Sequence, residues 1–185
     1  MLYLLRHGET IYNVEGKYQG SSNSPLTTKG KQQAKDNAYK LQNLIDNINN
    51  TIIYSSPQKR AKESAFILVD NLKISRENII FDKRIKEINY GILETHTREF
   101  CQKNYPNEFE TRENSKWFYK IKDGESYEEA SIRVKEWIKE LDKSKIIIVI
   151  AHEMINRIIR KEYQNLSIKK TLTLRQANWE IIELN

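Results

Sequence analysis

Cysteine is almost absent: Cys101 stands alone among 185 residues. No internal disulfide can form, and a chain without one suits a reducing compartment, so the expected location is cytoplasmic. Long apolar runs are missing too. The longest, Ile146 to Ala151, falls far short of the roughly 20 residues that cross a bilayer, and no membrane partner is expected. Phosphate loops of the nucleotide-binding kind are absent, since Gly16-Lys17 and Gly30-Lys31 stand in no Walker frame and no Gly-x-Gly-x-x-Gly occurs. Zinc-finger, RRM-type and Gly-x-x-Gly signatures are lacking as well. The basic clusters Lys59-Arg60-Ala61-Lys62 and Lys83-Arg84-Ile85-Lys86 therefore read as solvated helix faces, and no nucleic-acid partner is expected. His152-Glu153-Met154-Ile155-Asn156 lacks the second histidine of a zinc-protease motif, so no metal site is expected there.

What is present is the balance of a globular protein, with 38% hydrophobic and 30% charged residues and a length that buries one sizeable core. Residues 1–185 read as one domain. The formal charge of +6 is spread along the chain among 25 acidic residues, which suits a small anionic substrate better than a polyanion track.

Strand and helix patterns alternate. Residues 1 to 6 predict a buried strand; a helix with Ala34, Ala38, Leu41, Ile45 and Ile48 on one face runs from Thr27 or Thr28 to about Ile48. Thr51 to Tyr54 predicts a short strand. Ser56-Pro57 then reads as an N-cap and first helical position for a helix to about Asp70. Asn78 to Phe81 is a third strand, and Asp82 to Gly124 has no readable order. Within it Trp117, Phe118, Tyr119 and Tyr105 either line a pocket or pack a core, and packing is favoured; His96 reads as a surface or supporting residue. Ser126-x-x-Glu129 is a capping box that opens a helix burying Tyr127, Ala130, Val134, Trp137 and Leu141. Lys145 to Ile150 predicts a strand buried on both faces, Glu153 to about Glu162 a helix, and Trp179 to Leu184 a last strand. Such alternation argues for an α/β sandwich with a mostly parallel central sheet.

Four chemically capable features each follow a predicted strand: Arg6-His7, Arg60, Glu87 and His152. In open α/β sheets the carboxyl ends of the strands form the binding crevice. Two guanidiniums, two imidazoles and a carboxylate meeting there would hold a phosphoryl group and move a proton.

These residues resemble the histidine phosphatase superfamily, also called phosphoglycerate mutase-like, over nearly the whole chain. Leu5-Arg6-His7-Gly8-Glu9-Thr10 matches the family signature, with His7 in the place of the phosphate-accepting histidine. Asn13, Gln19 and the Gly20 turn, followed by Pro25-Leu26-Thr27-Thr28-Lys29-Gly30, look like its substrate loop and first helix. Ser55-Ser56-Pro57-x-x-Arg60-Ala61 matches the segment of the second arginine, Glu87-Ile88-x-Tyr90-Gly91 that of the general acid, Gly124-Glu125-Ser126 the turn before the long helix, and His152 the second histidine. The resemblance implies a three-layer α/β/α sandwich. It also implies His7, Glu87, Arg6, Arg60 and His152 as catalytic residues, with Arg6, Asn13, Gln19, Gly20, Arg60 and His152 binding substrate. The mechanism implied has His7 attacking phosphorus, Glu87 acting first as acid and then as base, and a protonated His152 helping both arginines to stabilise charge. Neither metal nor cofactor is implied.

Two departures stand out. Glu153 follows His152 where the family usually has a small residue, and it is expected to start the helix facing away from phosphate; Thr95 follows Glu94 in place of a common glycine. The function implied is hydrolysis of a small phosphorylated metabolite. Mutase-type phosphoryl transfer with a phosphorylated cofactor is the alternative, disfavoured because the middle segment is short and holds Glu108, Glu110 and Glu113. A non-catalytic phospholigand-binding module would lack His7, Glu87 or His152, and all three are there. The oligomeric state stays open between monomer and homodimer.

Overall fold

The computed structural model describes residues 1–45 and 47–185. At its centre β1 (Leu2–Arg6), β2 (Thr51–Ser55), β3 (Ile79–Phe81), β4 (Ile146–Ala151) and β5 (Ile181–Leu184) form one sheet, ordered β3-β2-β4-β1-β5. The first four run parallel and β5 lies antiparallel on β1. Parallel neighbours need crossover connections. Helices α1 (Ile11–Val14), α2 (Thr28–Leu44), α3 (Lys59–Leu72), α4 (Arg98–Asn104), α5 (Pro106–Asn114), α6 (Tyr127–Lys139), α7 (Glu153–Gln164) and α8 (Ile168–Thr173) lie along these connections or follow β4.

Alternation of side chains along a strand divides the apolar residues between two faces. Leu2 and Leu4 join Ile147, Val149 and Ala151 in one core against Val134 and Trp137 of α6 and Ile155 and Ile158 of α7. Tyr3 and Leu5 join Ile148 and Ile150 in the other, against Ala38 and Leu41 of α2 and Ala61, Ala65 and Leu68 of α3. The three expected layers follow from that division. Tyr90, Leu93, Cys101, Phe109 and Ile121 form a third cluster beneath the middle segment.

Several element boundaries differ from expectation for local reasons. α2 ends at Leu44 with Ile45 already extended (φ −118°), and the expected continuation to Ile48 crosses Asp46, which lies outside the described residues. Ser56 does not cap a helix and Pro57 is not its first residue. α3 begins at Lys59, and the Ser56 hydroxyl is engaged by His152 instead. The unread middle holds α4, capped by the Thr97 side chain, and α5, whose first residue is Pro106. The capping box at Ser126 and Glu129 is present as expected.

Thr95 sits in the left-handed region at φ +67°, a place that favours glycine and penalises a β-branched side chain. Its amide donates to the Tyr18 carbonyl at 2.8 Å, which ties this turn to the loop beside the pocket. Relief of the clash outweighs the greater freedom of an unfolded glycine, so Thr95→Gly is expected to stabilise the protein by about 0.5–1 kcal/mol. Denaturant unfolding checks this; a loss of stability in Thr95→Gly would contradict it.

Candidate active site

β1 and β4 pair with Arg6 opposite Ala151, so the residues that follow, His7 and His152, leave the sheet side by side. Their ring centroids are 5.2 Å apart. The His7 amide donates to the Ala151 carbonyl, and Asn178 Nδ2 donates to the His7 carbonyl at 2.7 Å, which fixes the backbone from both sides. His7 Nδ1 lies 2.8 Å from the Gly8 carbonyl oxygen. A carbonyl only accepts, so Nδ1 carries the proton and Nε2 keeps its lone pair. Burial, then the Arg60 and Arg6 charges, push the His7 pKa well below its ordinary value. Gly8 is needed for close approach: a Cβ there would lie 2.1 Å from the Gly30 carbonyl oxygen.

His152, fully buried at the N-cap of α7, sets Nε2 2.8 Å from Ser56 Oγ, while its Nδ1 has no partner among the described residues. Burial, Arg60 and His7 hold its pKa well down. The protonated imidazolium expected from the resemblance is therefore not the form favoured in the empty pocket.

Arg60 enters from the first turn of α3 and is 1% exposed. Its Nη2 donates to the Gly20 carbonyl at 2.8 Å and its Nη1 to the Ser22 carbonyl at 2.9 Å, while Nε is unpartnered. Burial lowers its pKa to about 10 against the opposing pull of Glu87 and Glu94. Glu87 accepts from its neighbour's amide at Ile88 (3.0 Å) and from the Met154 amide (3.3 Å). Burial raises its pKa, with Arg60 and those amides pulling the other way. Gln58 links the two groups, donating to the Gly20 carbonyl and accepting from the Glu87 amide.

A cavity of about 280 Å³ opens over these groups, at the small end of ligand pockets. Arg6, His7, Asn13, Gln19, Gly20, Arg60 and Glu87 all line it, and His152 lies behind His7. Asn13 Oδ1 is used by the Thr10 amide, whereas Gln19 keeps a buried Oε1 without a partner. Sequence reasoning missed Lys17, Tyr18, Tyr90 and Arg98, which line the outer wall. It also missed Glu94, whose carboxylate accepts from the amides of Ser21, Ser22 and Tyr90 and so shapes the loop whose carbonyls hold Arg60. Gly20, at φ +50°, would drive a Cβ into that carboxylate.

Glu153 does begin α7, but it does not face away from the pocket. Its side chain lines the cavity, drawn there by Arg6 at 2.9 Å and Arg157 at 2.6 Å. The aromatic group of the middle segment packs elsewhere: Trp117 stacks near Tyr127, the Tyr119 hydroxyl donates to Glu108, and Phe118 is exposed. His96 stacks on Phe100. Among the described residues no group of three or more His, Cys, Asp or Glu is arranged to hold a metal ion. Asn156 instead donates to the Leu5 carbonyl and to Gln176. No helix among the described residues is long and apolar enough to cross a membrane.

A profile of the histidine phosphatase superfamily (branch 1) matches residues 2–185. The chain is 32% identical over 165 residues to fructose-2,6-bisphosphatase of Saccharomyces cerevisiae, covering 89% of this chain and 34% of that protein. It is 34% identical over 160 residues to the human 6-phosphofructo-2-kinase/fructose-2,6-bisphosphatase 1, covering 85% and 31%. The chain thus spans about a third of the length of these curated relatives. Among solved structures, the alpha-ribazole phosphatase from Shigella flexneri superposes with a TM-score of 0.84 at 22% identity, covering 100% of this chain and 90% of that one, a likeness of fold. Bacillus stearothermophilus YhfR gives 0.81 at 27% identity, covering 94% and 84%.

Because both imidazoles are neutral when folded, the unfolded chain binds more protons below the ordinary histidine value of 6.5. The stability they contribute is full above that pH and falls as pH drops through their lowered folded values. NMR titration of the imidazole resonances is expected to find His7 and His152 unprotonated at about pH 6.5, the ordinary midpoint. A midpoint at or above that value for either would contradict the electrostatics described.

Proposed function

The chain belongs to branch 1 of the histidine phosphatase superfamily, and from that premise we propose that it hydrolyses phosphomonoesters of small metabolites through a phosphohistidine at His7. The observation that carries this reading is the tautomer of His7. With Nδ1–H held by the Gly8 carbonyl, Nε2 is a neutral nucleophile flanked by the charges of Arg6 and Arg60.

In the first step His7 Nε2 attacks phosphorus, the bond to the leaving oxygen breaks, and Glu87 gives that oxygen its proton. A raised Glu87 pKa suits an acid that must be protonated before the chemistry begins. Arg6 and Arg60 balance charge on the equatorial oxygens. The arriving dianion favours protonation of His152, opposing the effect of burial, so the imidazolium forms only when there is charge for it to meet. In the second step water attacks phosphorus, Glu87 takes the proton, the P–N bond breaks and its electron pair returns to Nε2.

Relatives named as fructose-2,6-bisphosphatases support a sugar phosphate as the substrate. The cavity wall supports it too, since Lys17 and Tyr18 offer donors to hydroxyls or to a further anionic group. Hydrolysis is preferred to mutase transfer because the arginines of the middle segment, Arg98 and Arg112, are each paired with Glu113, which lowers the positive charge that could retain a phosphorylated intermediate.

The test is phosphate release from sugar phosphates, fructose 2,6-bisphosphate, phosphoglycerates and an aryl phosphate, with chelator present. Activity is expected to persist with chelator and vanish in His7→Ala. Glu87→Gln should lower turnover by about 10²–10⁴-fold on alkyl phosphates and much less on the aryl phosphate, whose leaving group needs no proton. Turnover that survives in His7→Ala, or disappears with chelator, contradicts the mechanism. Interconversion of phosphoglycerates without net phosphate release would move the assignment to mutase.

A further inference from the structure

Glu153 is an acidic pocket residue that the hydrolytic steps do not use. It places a second carboxylate beside Glu87 in a cavity built for an anion. The structure gives it two seats. Oε2 is 2.9 Å from Arg6 Nη1, and Oε1 is 2.6 Å from Arg157 Nη2 one turn along α7. The side chains are largely withdrawn from water, with Arg6 15%, Glu153 18% and Arg157 5% exposed, so the pairs are less screened than surface ones. Among the described residues, Arg6 Nη1 is otherwise shared only with the Gln176 carbonyl, and Arg6 Nε is buried without a partner. A guanidinium next to His7 is thus partly neutralised while the pocket is empty. Position favours the carboxylate as well, because it stands in the first turn of α7, where the helix dipole stabilises negative charge.

A phosphoryl group that engages Arg6 must do so against this carboxylate. Two anions on one guanidinium repel, and the second seat on Arg157 lets Glu153 give way without becoming an unpaired buried charge.

We propose that Glu153 is the resident counter-anion of the phosphate pocket, holding Arg6 when the pocket is empty, yielding to the phosphoryl group by withdrawing onto Arg157, and thereby setting how tightly free phosphate is retained. This rests on the reading of the pocket as a phosphatase site. A phosphatase whose product is also its best anion benefits from such a competitor, since uniform tightening of substrate and product slows release without lowering the barrier.

The experiment measures binding of inorganic phosphate by calorimetry at fixed ionic strength, for the wild type, Glu153→Gln, Arg157→Met and the double variant, with steady-state kinetics alongside. Glu153→Gln keeps the side-chain volume and removes the charge. It is expected to tighten phosphate about tenfold, equivalent to about 1.4 kcal/mol, and to lower KM while kcat stays level or falls. Arg157→Met removes the second seat and should weaken phosphate binding in the wild-type background but have little effect in the Glu153→Gln background. Equal or weaker phosphate binding in Glu153→Gln overturns the proposal. So does an Arg157→Met effect of the same size in both backgrounds, or an absence of phosphate binding in every protein. A purely structural Glu153 would lower thermal stability and weaken binding together. Because binding is read without turnover, tightening in Glu153→Gln with no hydrolysis by any of the proteins would support the counter-anion and overturn the hydrolase reading alone.

Discussion

Arg60 is a full charge with 1% exposure, and the arrangement of the pocket follows from how that charge is tolerated. Removing an ion from water costs several kcal/mol even after relaxation. The Gly20 and Ser22 carbonyls return about 1.5–3 kcal/mol each as bonds to a charged donor. Those carbonyls are only in place because Glu94 gathers the amides of Ser21, Ser22 and Tyr90, and because Gly20 leaves room for that carboxylate. Gln58 ties the same loop to the backbone of Glu87. The cost of one buried guanidinium thus organises the loop, the carboxyl and the pocket floor together.

Strand register does the rest of the assembly. Residues far apart in sequence arrive together because β1 and β2 both pair with β4, and His7, Ser56 and His152 are each the first residue beyond their strand. Arg6 faces Ala151 and Ser55 faces Ile150, so His7 emerges level with His152 and Ser56 one residue behind them. The Ser56 amide donates to the Ile150 carbonyl and the His7 amide to the Ala151 carbonyl, which extends the ladder one step past the sheet. Side chains placed by extended ladders lose little freedom when they act, which is what precise positioning of a nucleophile requires.

Elements with a strong period, a cap or a two-sided apolar run were legible in the sequence. β1 and β4 are apolar on both faces, and α6 announces its start with Ser126 and Glu129. Ser56-Pro57 had the chemistry of a helix start, yet α3 begins at Lys59, and the Ser56 hydroxyl is shared between His152 and the Gln58 amide. The start of α5 at Pro106 followed a rule available in sequence, but too few apolar residues mark its face. Arg6, His7, Arg60 and Glu87 could be found because each follows a strand. Glu94 could not, since its value lies in three amides brought to it by the fold, and Arg98 and Lys17 reach the cavity from helix and loop positions that no period distinguishes.

The same physics that keeps the histidines neutral also shapes the charge balance of the empty pocket. Two guanidiniums lining one cavity repel each other, and Arg60 and Arg6 each appear among the charges that hold His7 and His152 unprotonated. Carboxylates relieve this from both sides, Glu87 toward Arg60 and Glu153 toward Arg6. They differ in how firmly they are held. Glu87 is held by two backbone amides and is partly buried, so the response proposed for it is to change protonation. Glu153 is a side chain shared between two arginines, so the response proposed for it is to change partner. On the proposed reading, a dianion arriving between the arginines moves protons at Glu87 and His152 and a carboxylate at Glu153, so that its charge is met from both walls.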